Sequence, residues 1–142
     1  MTARTLKVAR LAVGAKVPTR AHPGDAGLDL YSLDGFALRP GEGRVARTGV
    51  AVAVPRGHVG LVADRSSMAR AGLKTAGGVI DAGYRGEIGV VLWNLSRKRL
   101  RVAAGDRLAQ LLIVPIATPA VEERPTLTKT SRGAKGFGSS GR

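Results

Sequence analysis

The chain has no cysteine, so disulfide frameworks and thiolate-bound metals are excluded and a reducing compartment is compatible with it. Aromatic residues make up only 4%. A core must therefore be built from Val, Leu, Ile and Ala, and no row of rings is available to stack single-stranded nucleic acid. No apolar run approaches the length of a membrane span, and no secretory h-region with a cleavage site is present, so the expected location is cytoplasmic. Acids are also scarce, with 10 Asp and Glu against 23 Lys and Arg, a net charge of +13. That excess suits a polyanion, either nucleic acid or a small polyphosphate. The basic residues are dispersed, however, and their one dense run, Arg97-Lys98-Arg99-Leu100-Arg101, reads as an exposed hairpin loop between strands. No specific nucleic-acid partner is expected.

What is abundant is apolar residue and turn-former. At 142 residues and 44% hydrophobic, the chain suits one domain with one core. Short apolar runs recur at Phe36-Ala37-Leu38, Val50 to Val54, Val59 to Ala63, Ile88 to Trp93 and Leu108 to Val114, separated by many of the 20 glycines and 7 prolines. This spacing predicts an all-β sandwich or barrel. Leu6, Val8 and Leu11 suit a first strand. The single helix candidate is Ser66 to Gly72, framed by a serine N-cap and a terminal glycine. Residues 1–124 are expected to form the β domain and 125–142 a flexible arm, since 124–142 hold five basic residues, no acid and no apolar period. One phenylalanine, Phe137, stands there between glycines, with Arg132 and Lys135 upstream.

Gly78-Val79-Ile80-Asp81 leads into Ala82-Gly83-Tyr84-Arg85-Gly86-Glu87. Strand alternation is expected to bury Val79 and leave Asp81 at the mouth of a pocket closed by the turn. Taken alone, Asp81 reads as a turn acid accepting backbone N–H bonds and Tyr84 as a half-buried strand tyrosine. Arg65 before the Ser66-Ser67 helix start reads either as a solvent-facing cation or as part of a phosphate site at a helix N-terminus. Asp29 alone reads as a turn residue after Gly27.

Taken in order, five segments resemble the five signature motifs of the trimeric deoxyuridine triphosphatases (dUTPases). They are Asp25-Ala26-Gly27-Leu28-Asp29-Leu30, Arg65-Ser66-Ser67-Met68-Ala69, Gly78 to Glu87, Gly105 to Leu111, and Arg132 to Gly141. The resemblance implies a distorted jelly-roll or β-barrel-like domain with one short helix. It implies that Gly78, Val79, Ile80, Asp81, Tyr84 and, on the opposite arm, Gly89 hold uracil in a hairpin, whose main-chain N–H and C=O groups read the base and exclude a thymine methyl. Tyr84 would lie on the deoxyribose and deny room to a 2′-hydroxyl. Arg65, Ser66 and the Ser67 backbone would hold the phosphates, although the family usually has glycine at the place of Ser67.

Asp81 would be the general base, holding the water that attacks the α-phosphorus of dUTP and expels pyrophosphate. Asp29 would touch a phosphate-bound Mg²⁺ through water, and Gln110 would face the α-phosphate. Arg132 would pair with the γ-phosphate, while Phe137 stacks on uracil with Gly138 in close backbone contact. The family assembles as homotrimers in which hairpin, helix motif and arm of each site come from different subunits, and Leu108 to Val114 could line the shared axis. A dCTP deaminase also resembles the Arg65 to Arg70 segment, but its glutamate, ten residues beyond the aspartate, falls on Val91 here. A non-catalytic binding or regulatory protein remains as the alternative of another class.

Overall fold

The computed structural model describes residues 5–138 and 141; Ser139 and Ser140 of the fifth motif lie outside the described residues. Eleven strands and one helix follow in the order β1 (Lys7–Arg10), β2 (Leu28–Tyr31), β3 (Phe36–Leu38), β4 (Gly43–Arg47), β5 (Val50–Ala53), β6 (His58–Asp64), α1 (Ser66–Arg70), β7 (Leu73–Ala76), β8 (Val79–Ile80), β9 (Gly89–Asn94), β10 (Leu100–Val102) and β11 (Arg107–Pro115). All strand pairings are antiparallel. The sheets run β2-β11-β6-β8, β4-β9-β7, β1-β5 and β10-β3, which is an all-β domain as the short apolar runs predicted.

β11 forms because Leu108, Ala109 and Leu111 bury against the core while its two neighbours, β2 and β6, satisfy its backbone on both sides. Leu30, Ile88, Val90, Leu92, Ala109 and Leu111 show no exposure and belong to one cluster that joins the sheets. Truncating any of the large ones to alanine costs about 2–5 kcal/mol.

Three expectations need correction. The Arg97 to Arg101 run is not a hairpin loop, because β9 and β10 belong to different sheets. Fully buried Asn94 accounts for this: its Nδ2 donates to Leu38 O and Lys98 O, turning the chain away from β9 and towards β3. The helix is capped by Arg65, with no side-chain capping bond, so Ser66 lies inside the helix and is not its N-cap. Finally, Ile80 is buried and Val79 is 65% exposed, the reverse of the expected phase. Gly77 and Gly78 both take positive φ just before β8, and Ile80 then packs over Gly60 on β6.

Candidate active site

The hairpin begins at Gly78, which is held 2.8 Å from Val62 N through its carbonyl. A Cβ here would lie 2.9 Å from the Val62 carbonyl oxygen, and φ is +95°, so both space and conformation require glycine. Beyond it, Val79 and Asp81 share the open side. They border a cavity of about 260 Å³ together with Gly78, Tyr84, Glu87 and Gly89. Two of the lining residues, Gly78 and Gly89, are glycines, where no side chain covers the main-chain N–H and C=O groups that can pair with a flat heterocycle. The Tyr84 Oη donates to the Glu87 carbonyl at 2.8 Å, and its phenol crosses Gly86 so closely that a Cβ there would collide with it.

Asp81 is exposed, and among the described residues no hydrogen bond or ion pair engages its carboxylate. Other turn acids behave differently. Asp106 Oδ2 accepts Ala103 N at 2.8 Å and Asp25 Oδ2 accepts His22 N at 3.0 Å. Asp81 contributes only its main-chain carbonyl to its turn, accepting Tyr84 N at 3.1 Å. Its side chain is thus free for a ligand or a water.

A second cluster forms where β6 ends. Asp29 on β2 stands opposite Gln110 on β11 and between two guanidinium groups, with Arg65 Nε at 3.5 Å and Arg107 Nη1 at 3.7 Å. Its side chain is 15% exposed, so both cations approach a mostly desolvated anion. Arg65 Nη1 also donates to Arg107 O at 3.3 Å. Gln110 Nε2 donates to Asp64 O at 2.8 Å, and its amide packs so closely on Gly27 that a Cβ there would collide with it. One amide hydrogen and much of the Oε1 capacity remain for other partners.

Asp64 anchors this corner. Its carboxylate takes Lys74 Nζ at 2.5 Å, Thr75 N at 2.7 Å and the Thr75 hydroxyl at 2.8 Å. Burial alone would push its pKa up, but those hydrogen bonds and the Lys74 charge outweigh it and hold the carboxyl below its ordinary range. Ser67 sits within the helix with negative φ, since Phe137 is the only described non-glycine residue with positive φ. Serine therefore suits a place where the family usually has glycine.

One chain does not bring the predicted residues together. Ile80 pairs with Gly60 and Val79 with Leu61 on β6, so Asp81 lies towards the far end of that strand from Arg65. At about 3.3 Å per residue the two are roughly 20 Å apart. Among the described residues after β11 no helix or strand forms, and Phe137 is fully exposed. Arg132 folds locally, with Nε donating to Lys135 O at 2.9 Å, and Gly138 follows with φ +93°. Hairpin, arginine cluster and arm are three separate stations. Arg107, Asp64 and Glu87 were not singled out as site residues by sequence reasoning; Arg107 and Glu87 lie inside motif segments, the only signal that could have raised them.

The dUTPase family model matches residues 14–141. The deoxyuridine 5′-triphosphate nucleotidohydrolase of Mycobacterium tuberculosis (strain ATCC 25618 / H37Rv) is 50% identical over 146 residues, covering 96% of this chain and 95% of that one. The enzyme of the same name from Cowpox virus (strain GRI-90 / Grishak) is 45% identical over 127 residues, covering 89% and 86%. Among solved structures, the dUTPase of Staphylococcus bacteriophage 80alpha with dUPNHPP superposes with a TM-score of 0.93 at 35% identity, covering 99% of this chain and 100% of that one. On this agreement of sequence, motif order and fold, the chain belongs to the dUTPase family.

Proposed function

We propose that the chain hydrolyses dUTP to dUMP and pyrophosphate. The observation that carries this reading is the bare Asp81 carboxylate at the lip of a cavity bordered by Gly78 and Gly89. Main-chain donors and acceptors from Gly78 to Tyr84, with Gly89 across the cavity, suit the two carbonyls and one N–H of uracil. Thymine, with its extra 5-methyl group, is the base this cavity is expected to reject. Tyr84 closes the sugar side, where a 2′-hydroxyl would meet its ring. Asp81 holds a water in line with the α-phosphorus and takes its proton as the new P–O bond forms and the bond to the bridging oxygen breaks.

The phosphates belong to the second cluster. Arg65, with Ser66 and the Ser67 backbone, supplies charge and donors, and Gln110 adds its free amide hydrogen. Among the described residues no group of His, Cys, Asp and Glu could hold a metal by itself. Asp29, already facing two arginines, fits a water-mediated contact to a cation that arrives on the triphosphate. Mg²⁺ so bound would neutralise charge on the phosphate oxygens. The structure of a mutant dUTPase from phage phi11 of S. aureus, 33% identical with a TM-score of 0.83, reveals details for the coordination of a structural Mg(II) ion in that protein.

The three stations meet in a homotrimer, with hairpin, phosphate cluster and arm contributed by different subunits. The separation of roughly 20 Å along β6 and the exposed Phe137 favour this over a site closed by one chain. Residues 1–124 are the body and 125–142 the arm, whose Arg132 pairs with the γ-phosphate while Phe137 and Gly138 cover the uracil and exclude water. The test is incubation with dUTP, dCTP, dTTP or UTP and Mg²⁺, with products identified. Pyrophosphate and dUMP from dUTP alone are expected; release of orthophosphate, or comparable turnover of UTP, contradicts the reading.

A further inference from the structure

Two carboxylates border the cavity, and the chemistry above uses one. Asp81 is bare, whereas Glu87 is gripped by Arg47, with Nε 3.2 Å from Oε2 and Nη2 3.0 Å from Oε1. Arg47 ends β4 opposite Gly89 and lies outside all five motif segments. The pair is two-pronged and only the Arg47 side is well exposed, at 54% against 23% for Glu87. This is the geometry in which a surface ion pair has a measurable effect.

The ion pair is not needed to place the main chain. Ile88 N donates to Val50 O at 2.8 Å, and the Thr48 hydroxyl donates to Ile88 O at 2.7 Å. Those bonds already fix the peptide whose Glu87 carbonyl receives the Tyr84 phenol. What remains for Arg47 is the carboxylate itself. A nucleoside triphosphate brings several negative charges to this rim, and an unpaired Glu87 would repel it and be free to rotate into the cavity.

We propose that Arg47 is a positioning residue that holds the Glu87 carboxylate on the β4 side of the cavity and cancels its charge, leaving Asp81 as the one free anion there. This rests on the reading of the cavity as a nucleoside triphosphate site. It is tested by steady-state kinetics on the full chain with dUTP and Mg²⁺. Arg47→Met should raise KM roughly three- to ten-fold, the scale of one unit charge about 4 Å away through water, with kcat within about two-fold. The increase should shrink in 0.5 M salt. Glu87→Gln, which leaves the Arg47 cation unpaired, should not raise KM, and Arg47→Met combined with Glu87→Gln should return KM to near the wild-type value. Arg47→Lys, keeping the charge, should stay close to the wild type. If Arg47→Met folds poorly, Arg47→Gln gives the same comparison with a donor retained.

A double variant as impaired as Arg47→Met overturns the proposal, because an unpaired carboxylate is then not the cause. A changed preference between dUTP and UTP in Arg47→Met also overturns it, since the pair would then act through Tyr84. A wild-type chain that leaves dUTP untouched removes the reading of the site itself, which keeps the two failures distinct.

Discussion

The phenol of Tyr84 lies directly across Gly86, and the missing side chain at Gly86 is what lets it do so. The Oη then reaches the Glu87 carbonyl at 2.8 Å, which fixes the ring at the edge of the cavity. Gly86 has no positive φ, so alanine is permitted by the backbone, and the substitution acts on the ring. Gly86→Ala should displace Tyr84 and weaken discrimination against ribose. The ratio of kcat/KM for dUTP to that for UTP should fall several-fold while the melting temperature stays within a few degrees. An unchanged ratio would remove Tyr84 from sugar selection.

Asp81→Asn keeps shape but cannot accept the proton. Turnover should drop by about 10²–10⁴-fold or more, while a non-hydrolysable dUTP analogue still binds by calorimetry. Near-normal turnover would release Asp81 from its role as base.

Acid should loosen the corner that carries Arg65. The Asp64 carboxyl is held below its ordinary value of 3.8: burial raises it, but bonds from Lys74 and Thr75 prevail. A depressed folded-state pKa gives stability that is present above the unfolded value and lost as pH falls through the folded one. Asp64→Asn should therefore melt several degrees below the wild type at pH 7. The gap should narrow as pH drops below about 3.8, the ordinary value. A gap independent of pH would mean that the carboxylate charge is not what matters.

Removing everything after Thr130 should leave the melting temperature almost unchanged, because among the described residues Arg132 bonds only within the arm and Phe137 buries nothing. Turnover should nevertheless collapse with the loss of both. A truncated chain that unfolds would make the arm structural and end the idea of a closing segment.

The strands with continuous apolar runs were legible in the sequence: Leu108 to Val114 became β11, extended by Arg107 and Pro115, and Val59 to Ala63 became β6, extended by His58 and Asp64. β4 and β7 were not, because Arg44, Arg47 and Lys74 interrupt their apolar pattern on outward faces. The hairpin loop expected at Arg97 failed because nothing local reveals that buried Asn94 will tie Lys98 to Leu38 across sheets. Motif order alone names Asp81, Tyr84 and Arg65 as candidate site residues. Alternation puts Val79 on the wrong face because a two-residue strand after paired positive-φ glycines carries too little alternation to set its phase. Arg47 had no local signal at all, since its partner lies forty residues away.

The decisive measurement is complementation between two inactive proteins. Asp81→Asn keeps its arm but has no base, and the chain cut after Thr130 keeps its base but has no arm. After subunit exchange is verified by mass, some mixed trimers should hold a pocket with an intact Asp81 from one subunit and an intact Arg132 and Phe137 from another. Hydrolysis of dUTP should then reappear in the mixture. A mixture that stays inactive despite proven exchange, or a protein that sediments as a monomer, would contradict a site shared between subunits.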